Sequence, residues 1–336
     1  MINIAQIGCG YWGPNLLRSF NNSPGCRVKW MVEQSSDRLK YVGYNHPDVK
    51  LTSEVQTVLD DPEVDGVVVA TPARTHFELA RQVLRSGKHV FVEKPLATTV
   101  AEVDELTALA EEANRLIMVG HTFLYNPAVL YLKKMIDQGE LGEVYYAYAQ
   151  RLNLGVIRRD VNAMWNLAPH DVSILCYLFG ANPTSVTAHG NSYIQPGIED
   201  VVFMNLQFAQ GVQASVQVSW LDPQKVRRVT VVGSRKMVIY DDMAEHKIAI
   251  YDKGIDATKT EEDKMPFDSV VPFKFIHRSG DLLMPSIAWQ EPLKEEAKHF
   301  IESIEQGSVP RTGASHARDV ISVLERAQKS LDKAEK

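Results

Sequence analysis

Three groups of residues have the types and spacings that chemistry requires. The first is Gly8-Cys9-Gly10-Tyr11-Trp12-Gly13, a G-x-G-x-x-G run directly after the apolar stretch Ile4-Ala5-Gln6-Ile7. There Gly8 permits a tight turn, Gly10 lets backbone approach a pyrophosphate, and Gly13 allows close helix–strand packing. A helical pattern, Pro14 to Phe20, follows, so an anion would meet the unpaired N–H groups of a helix start. A second apolar run, Val28 to Val32, ends in Glu33, where an acid roughly twenty residues past the glycines can hold the adenosine ribose. These features predict a dinucleotide site contacted by Gly8, Gly10, Tyr11, Trp12, Gly13 and Glu33. NAD is the expected cofactor. Glu33 would repel a 2′-phosphate, Gln34-Ser35-Ser36 brings no positive charge, and Arg38 is the one cation placed to reach it.

The second group follows two further apolar runs. Thr71-Pro72-Ala73-Arg74-Thr75-His76 comes after Val64 to Ala70, and Glu93-Lys94-Pro95 comes after His89 to Val92. Ligands of open α/β sheets bind at the carboxyl ends of the strands, so Thr71, Pro72, His76, Glu93 and Lys94 join the expected cofactor contacts. A lysine there can exchange a proton if partial burial lowers its pKa, or can hold a hydroxyl as a fixed charge. A surface ion pair, which contributes little, is the other reading. The third group is Trp165-Asn166-Leu167-Ala168-Pro169-His170-Asp171. Asn166 and His170 share one face if the segment is helical. Pro169 suggests a helix starting beside it, with His170 near the N-terminus as a neutral proton acceptor. A satisfied histidine at a domain junction is the plain reading, and Asp171 simply suits a first turn.

The elements that must position these groups change character near Gly120. Before it, strand and helix signals alternate, as in a doubly wound parallel sheet with helices on both faces. Phe77 to Arg85 is helical, Thr99 and Glu102 form a capping box before Val103 to Ala113, and Leu116 to Val119 closes the half. Beyond it, Pro127 to Asp137 is helical. Strand signals follow at 144–152, 184–190, 201–208, 212–220, 226–232 and 237–240. Turns such as Gln210-Gly211 and Gly233-Ser234 make hairpins and a large, mostly antiparallel sheet the natural outcome. Residues 255–275 read as a polar loop, 289–305 and 314–331 as helices, and 332–336 as a fraying tail.

Composition excludes several classes. The 336 residues suggest two domains, and a net charge of -6 with pI near 6.0 gives no reason to expect nucleic acid. Cys9, Cys26 and Cys176 lack metal or redox spacing and read as small buried hydrophobes, so no metal is expected. No apolar stretch reaches the ~20 residues of a membrane helix, and Met1-Ile2-Asn3 enters the first strand without a basic leader. A soluble, reduced, cytoplasmic protein without a membrane partner is expected.

Taken in order, GCGYWG (Gly8 to Gly13), ATPARTH (Ala70 to His76), VEKPLA (Val92 to Ala97), GHTFLYNP (Gly120 to Pro127) and APHD (Ala168 to Asp171) resemble the glucose-fructose oxidoreductase/inositol dehydrogenase (Gfo/Idh/MocA) family over the whole chain. The resemblance implies a Rossmann domain at 1–122 and an α+β substrate and oligomerisation domain with a large antiparallel sheet at 123–310. A C-terminal helix at 311–336 would pack back on the first domain. It also implies that Lys94 lies beside the nicotinamide and that His170 moves the proton. Where the family commonly has an aspartate four residues before that histidine, this chain has Asn166, which cannot relay a proton as a carboxylate does. Tyr125 and Asn126 match a stretch lining the sugar pocket, where the familiar preceding arginine is Leu124.

The spellings at Gly10 to Phe20 and Trp165 to Leu175 are similar to the branch acting at C3 of nucleotide-linked hexoses, often ahead of amination. Arg151, Asn153 and Arg159 then read either as donors to a diphosphate or as solvated polar surface. The expected substrate contacts are Lys94, Tyr125, Asn126, Arg151, Asn153, Arg159, Asn166 and His170. A homo-oligomer, dimer or tetramer, is implied as well. The alternatives are an NADP-dependent 3-ketoreductase of a dTDP-sugar and a free sugar or inositol dehydrogenase.

Overall fold

The computed structural model describes residues 1–259 and 273–334. The chain divides into two compact units: Met1–Pro127 with Val172–Tyr177 and Trp289–Lys336, and Ala128–Asp171 with Leu178–Ala288.

In the first unit, β1 (Ile2–Ile7), β2 (Cys26–Val32), β3 (Lys50–Thr52), β4 (Gly66–Val69), β5 (His89–Val92) and β6 (Ile117–Val119) form one sheet. All its pairs are parallel, in the order β3-β2-β1-β4-β5-β6. All four residues of β4 are buried, the continuous apolar run of a strand covered on both faces. The strand order reverses between β1 and β4, which opens a crevice at their carboxyl ends. Helix α1 (Gly13–Asn21) follows β1 directly. Helix α2 (Ser36–Asn45) follows β2 and is capped by Ser35, whose hydroxyl accepts from the Arg38 N–H. Helix α3 (Val55–Leu59) and β3 escape a periodicity reading because both are too short to repeat. Helices α4 (His76–Arg85) and α5 (Val100–Ala113) fall as expected, and Thr99 and Glu102 make the capping box.

The expected boundary at 310 moves to 288. After α6 (Pro127–Asp137) and α7 (Ala163–Phe179), α8 (Pro292–Gln306) belongs with the parallel sheet rather than with the antiparallel one. Its Phe300 meets Phe20 of α1 at 6.0 Å and Phe91 of β5 at 5.8 Å, both edge-to-face. Three aromatic rings from distant segments thus close one core, an attraction that helical periodicity alone cannot assign to a partner. The last helix, α9 (Ala314–Ala334), packs on α5, and Arg318 pairs with Asp104 there.

The second unit is built on an eight-stranded sheet. Its strands are β7 (Val144–Leu154), β8 (Ser185–Asn191), β9 (Val201–Gln207), β10 (Gln213–Ser219), β11 (Leu221–Gly233), β12 (Met237–Asp241), β13 (Ile248–Tyr251) and β16 (Leu282–Leu283). Only β7 and β10 pair in parallel; the other neighbours are antiparallel. Burial alternates strictly along β9: Val202, Met204 and Leu206 point inward, Phe203 and Asn205 outward. Residues 255–275 are not wholly a loop, because β14 (Gly254–Lys259) pairs antiparallel with β15 (Phe273–Arg278). The alternation Phe273-Lys274-Phe275 was outweighed in the sequence by Pro266 and Pro272; residues 260–272 lie outside the described residues. Among the described residues no helix is long and apolar enough to cross a membrane.

Candidate active site

Every chemically interesting segment of the first unit leaves the same edge of the parallel sheet. The glycine turn follows β1, Glu33 follows β2, Thr71-Pro72 follows β4, Glu93-Lys94 follows β5 and His121 follows β6. Gly8 has φ +97° and lies so close to the Ala70 carbonyl that a Cβ would stand 2.6 Å from it. At Gly10 a Cβ would meet nothing within 4 Å, which leaves the open approach a pyrophosphate needs. The Gln6 amide donates at 2.9 Å to both the Gly8 and the Gly13 carbonyl, pinning the two ends of the turn. Gln6 was passed over in the sequence, although a glutamine inside an apolar strand is itself a signal.

Glu33 is tied down on both oxygens. The Cys9 N–H donates to one at 2.7 Å and the Ser35 N–H to the other at 3.0 Å. Burial pushes its pKa up, but these backbone donors and Arg38 outweigh that and hold it below the usual carboxylate range. The Arg38 guanidinium stands 3.7 Å from Glu33. The residues present therefore fit NAD: an open backbone cradle at a helix start and an ionised acid at the end of β2. Tyr11 is almost fully exposed and Trp12 partly so, beside that cradle.

His76 opens α4. Its Nδ1 lies 2.7 Å from the Pro95 carbonyl and its Nε2 2.8 Å from the Thr71 carbonyl, so the ring ties together the two loops that carry Thr71 and Lys94. Burial pushes its pKa down, against the pull of those carbonyls.

Beside Lys94 lies a set of polar groups of which the sequence reading named Glu93 but not Glu296, His121 or His316. Glu93 accepts from the Lys94 N–H at 3.3 Å, and the Trp12 indole donates to it. As a residue Glu93 is half-buried, but its Oε1 is sealed from solvent. Its carboxyl packs on Gly120, where a Cβ would come within 3.1 Å. Glu296 of α8 is fully buried and accepts from the Thr122 hydroxyl at 2.7 Å. His121 meets His316 of α9 edge-on at 5.3 Å, and His316 Nε2 lies 2.8 Å from the Ser173 hydroxyl. Burial pushes both imidazoles down, His316 to about 4 and His121 well below its usual value. The signal for Glu296 was in the sequence. It falls between Leu293 and Phe300 on the apolar stripe of α8.

In the second unit, α7 begins at Ala163, capped by the Asn162 side chain on the Trp165 N–H. The expected start beside Pro169 is thus corrected, because a good N-cap seven residues earlier sets the helix and Pro169 is carried inside it. His170 is consequently not at a helix N-terminus. Asn166 and His170 do share the helix, four residues apart, and the Asn166 carbonyl accepts from the Trp220 indole at 3.1 Å.

Arg151 is neither solvated nor open to a diphosphate. It is buried, with Nε and Nη2 on the two oxygens of buried Asp171 at 2.7 and 3.0 Å. Asp171, expected merely to suit a first turn, is the counter-charge that fixes β7 to α7 beside His170. Asn153 is half-buried and folds against Gly155, while Arg159 is exposed.

Tyr125 and Asn126 are both buried in the first unit. The Tyr125 hydroxyl lies 3.3 Å from that of Thr312, and its ring packs beneath Arg311 at 4.9 Å. Tyr125 is therefore held in the packing of its own unit, a role set by C-terminal residues that no local motif reveals.

Comparison with known proteins agrees with this geometry. The oxidoreductase family model GFO_IDH_MocA, described as an NAD-binding Rossmann fold, matches residues 2–121, and the GFO/IDH/MocA C-terminal domain matches residues 129–239. The scyllo-inositol 2-dehydrogenase (NAD(+)) of Bacillus subtilis is 25% identical over 325 residues, 92% of this chain and 88% of that protein. The inositol 2-dehydrogenase 2 of Saccharopolyspora erythraea is 29% identical over 224 residues, 65% of this chain and 66% of its own length. The solved structure of UDP-N-acetylglucosamine 3-dehydrogenase GnnA from Acidithiobacillus ferrooxidans superimposes with a TM-score of 0.83 at 20% identity, covering 100% of this chain and 99% of that one. With both of its domain models matched in order, and with a glycine turn and ionised Glu33 that fit its cofactor, the chain belongs to the GFO/IDH/MocA oxidoreductase family and has its NAD-binding Rossmann fold.

Proposed function

We propose that the protein is an NAD-dependent dehydrogenase exchanging hydride with a secondary ring alcohol, C3 of a nucleotide-linked hexose such as a UDP-N-acetylglucosamine-like sugar. The observation that carries the reading is Lys94 at the carboxyl end of β5, on the edge that holds the glycine turn and Glu33. When bound, NAD supplies the hydride acceptor. Lys94 steadies the charge that develops on the reacting oxygen, and His170 accepts the hydroxyl proton. Asn166, bonded to Trp220, presents an amide rather than a carboxylate beside His170, so it orients and does not relay. The paired Arg151 and Asp171 hold the helix that carries His170. The match in fold to a UDP-N-acetylglucosamine 3-dehydrogenase supports the substrate class.

A free cyclitol is the second reading. It is favoured by the inositol dehydrogenases among the relatives and by Arg151, whose Nε and Nη2 both go to Asp171. Incubation with NAD+ and a panel of UDP-sugars, dTDP-sugars and inositols, read as NADH absorbance, decides between them. Turnover of a nucleotide sugar together with inhibition by UDP supports the first reading. Turnover of free inositol without inhibition by UDP overturns it.

The same reading makes the protein a homo-oligomer, dimer or tetramer, through the outward face of the eight-stranded sheet. There Phe203 and Tyr146 are both nearly half exposed among Asn205, Gln213 and Ser215. Light scattering at micromolar concentration showing a monomer would overturn that assignment.

A further inference from the structure

The buried groups behind Lys94 present an imbalance that the reading above does not use. Glu93 Oε1, Glu296 Oε1 and His121 Nδ1 are sealed from solvent and have no hydrogen-bond partner among the described residues. Sealed polar atoms without partners are costly, and two ionised carboxylates in one enclosed space are costlier still. The groups facing one another come from five elements. Glu93 and Lys94 end β5, Trp12 lies in the glycine turn, His121 and Thr122 follow β6, Glu296 comes from α8 and His316 from α9. Both imidazoles are held neutral, so neither offers Glu296 a positive partner. Among the described residues the cation that acts on this set is Lys94, and it acts on Glu93 and His121.

We propose that Glu93 and Glu296 share one proton, carried by Glu296 on its enclosed oxygen, so that the pair holds a single negative charge, on Glu93, facing Lys94. The Thr122 hydroxyl donates to the other oxygen of Glu296, which leaves Oε1 as the place for the proton. Glu93 remains an acceptor for the Lys94 N–H and the Trp12 indole, bonds that suit an anion. Burial and the neighbouring Glu93 push the Glu296 pKa far above the carboxylate range; burial also raises Glu93, against the opposing pull of Lys94. Glu296 is therefore a positioning residue. It touches neither cofactor nor substrate, and it sets how much negative charge stands behind Lys94. One short segment meets both acids: the Glu93 carboxyl packs on Gly120, and the Thr122 hydroxyl donates to Glu296.

The inference rests on the reading of Lys94 as the cation at the reacting oxygen, but its first test does not depend on turnover. Infrared spectra of the full-length protein at neutral pH should show a protonated-carboxyl C=O stretch. The band should be lost in Glu296→Gln and kept in Glu93→Gln. Absence of the band in the wild type, or its survival in Glu296→Gln, overturns the proposal even if Lys94→Ala proves inactive.

The second test is the pH profile of kcat/KM. Glu296→Gln keeps a neutral donor and should keep the position of the limb that Lys94 governs. Glu296→Leu removes the donor, lets Glu93 take up a proton and should move that limb down by about one pH unit or more. Coincident limbs in Glu296→Leu and wild type would overturn the positioning role.

Discussion

The two units solve the same problem, holding polar groups inside a sheet protein, by opposite means. In the parallel sheet the polar groups cluster at one edge, where the strands end and the crevice between β1 and β4 opens. In the antiparallel sheet the decisive polar pair, Arg151 and Asp171, lies in the interior, between β7 and α7. An edge position follows from topology, because every parallel strand must deliver its next residue to the same side. An interior ion pair follows only from which strand and helix come to face each other. The first site is therefore readable from motifs, while the second becomes visible only after folding.

Breaking the interior pair should have the largest effect. Arg151→Ala leaves Asp171 buried without its counter-charge and should cost about 3–5 kcal/mol of stability, measured by denaturant titration. A loss below about 1 kcal/mol would place the pair in the weak class of surface ion pairs and erase the contrast between the two units. Lys94→Ala touches the edge instead. It should leave the fold intact and lower kcat about 10²-fold or more, with a much smaller change in the dissociation constant for NAD. Near wild-type turnover would make Lys94 structural.

Cofactor choice sharpens the account of the edge. With Glu33 ionised and held by the Cys9 and Ser35 N–H groups, NAD should bind at least about tenfold more tightly than NADP, roughly 1.4 kcal/mol. Glu33→Ser should narrow or reverse that ratio, since Arg38 already stands 3.7 Å from the carboxylate it would replace as the nearest charge. Equal dissociation constants in the wild type would refute the role of Glu33.

The smallest expected effect is acid sensitivity of the first unit. His89 and His316 are half-buried, and desolvation pushes the pKa of each down to about 4, so both are neutral at pH 7. Their contribution to stability is complete above the unfolded value of about 6.5 and is lost as pH falls from there through about 4, because the unfolded chain takes up protons first. Melting temperature should fall between pH 7 and pH 5, at about 2–4 °C per kcal/mol lost, and His316→Gln should flatten the slope. A melting temperature that rises toward pH 5 would reverse the sign of this linkage.

Much of the molecule was legible beforehand where local chemistry dictates local structure. The glycine turn needs Gly8 for its left-handed backbone, the Thr99–Glu102 box starts α5, and the alternation of Val202, Met204 and Leu206 faces one side of a strand to the core. Where sequence and structure part, the cause is non-local. Pro169 read as a helix start until Asn162 supplied an earlier cap, and α8 read as part of the second domain until Phe300 met Phe20 and Phe91. Arg151 read either as a donor to a diphosphate or as solvated surface until Asp171, twenty residues away, enclosed it.

The sequence by itself determined the glycine turn after β1, the acid at the end of β2, and the alternation of strand and helix that builds a parallel sheet. Those features depend on backbone geometry and hydrophobic period, which are properties of neighbours in the chain. Only the tertiary structure decided that Glu296 is enclosed with the Thr122 hydroxyl on it, that Tyr125 closes on Thr312, and that His76 ties two loops together. Each of those depends on burial and on a partner brought from a distant segment. Desolvation, which sets both the protonation of a carboxyl and the cost of an unpaired charge, has no value until the chain has packed.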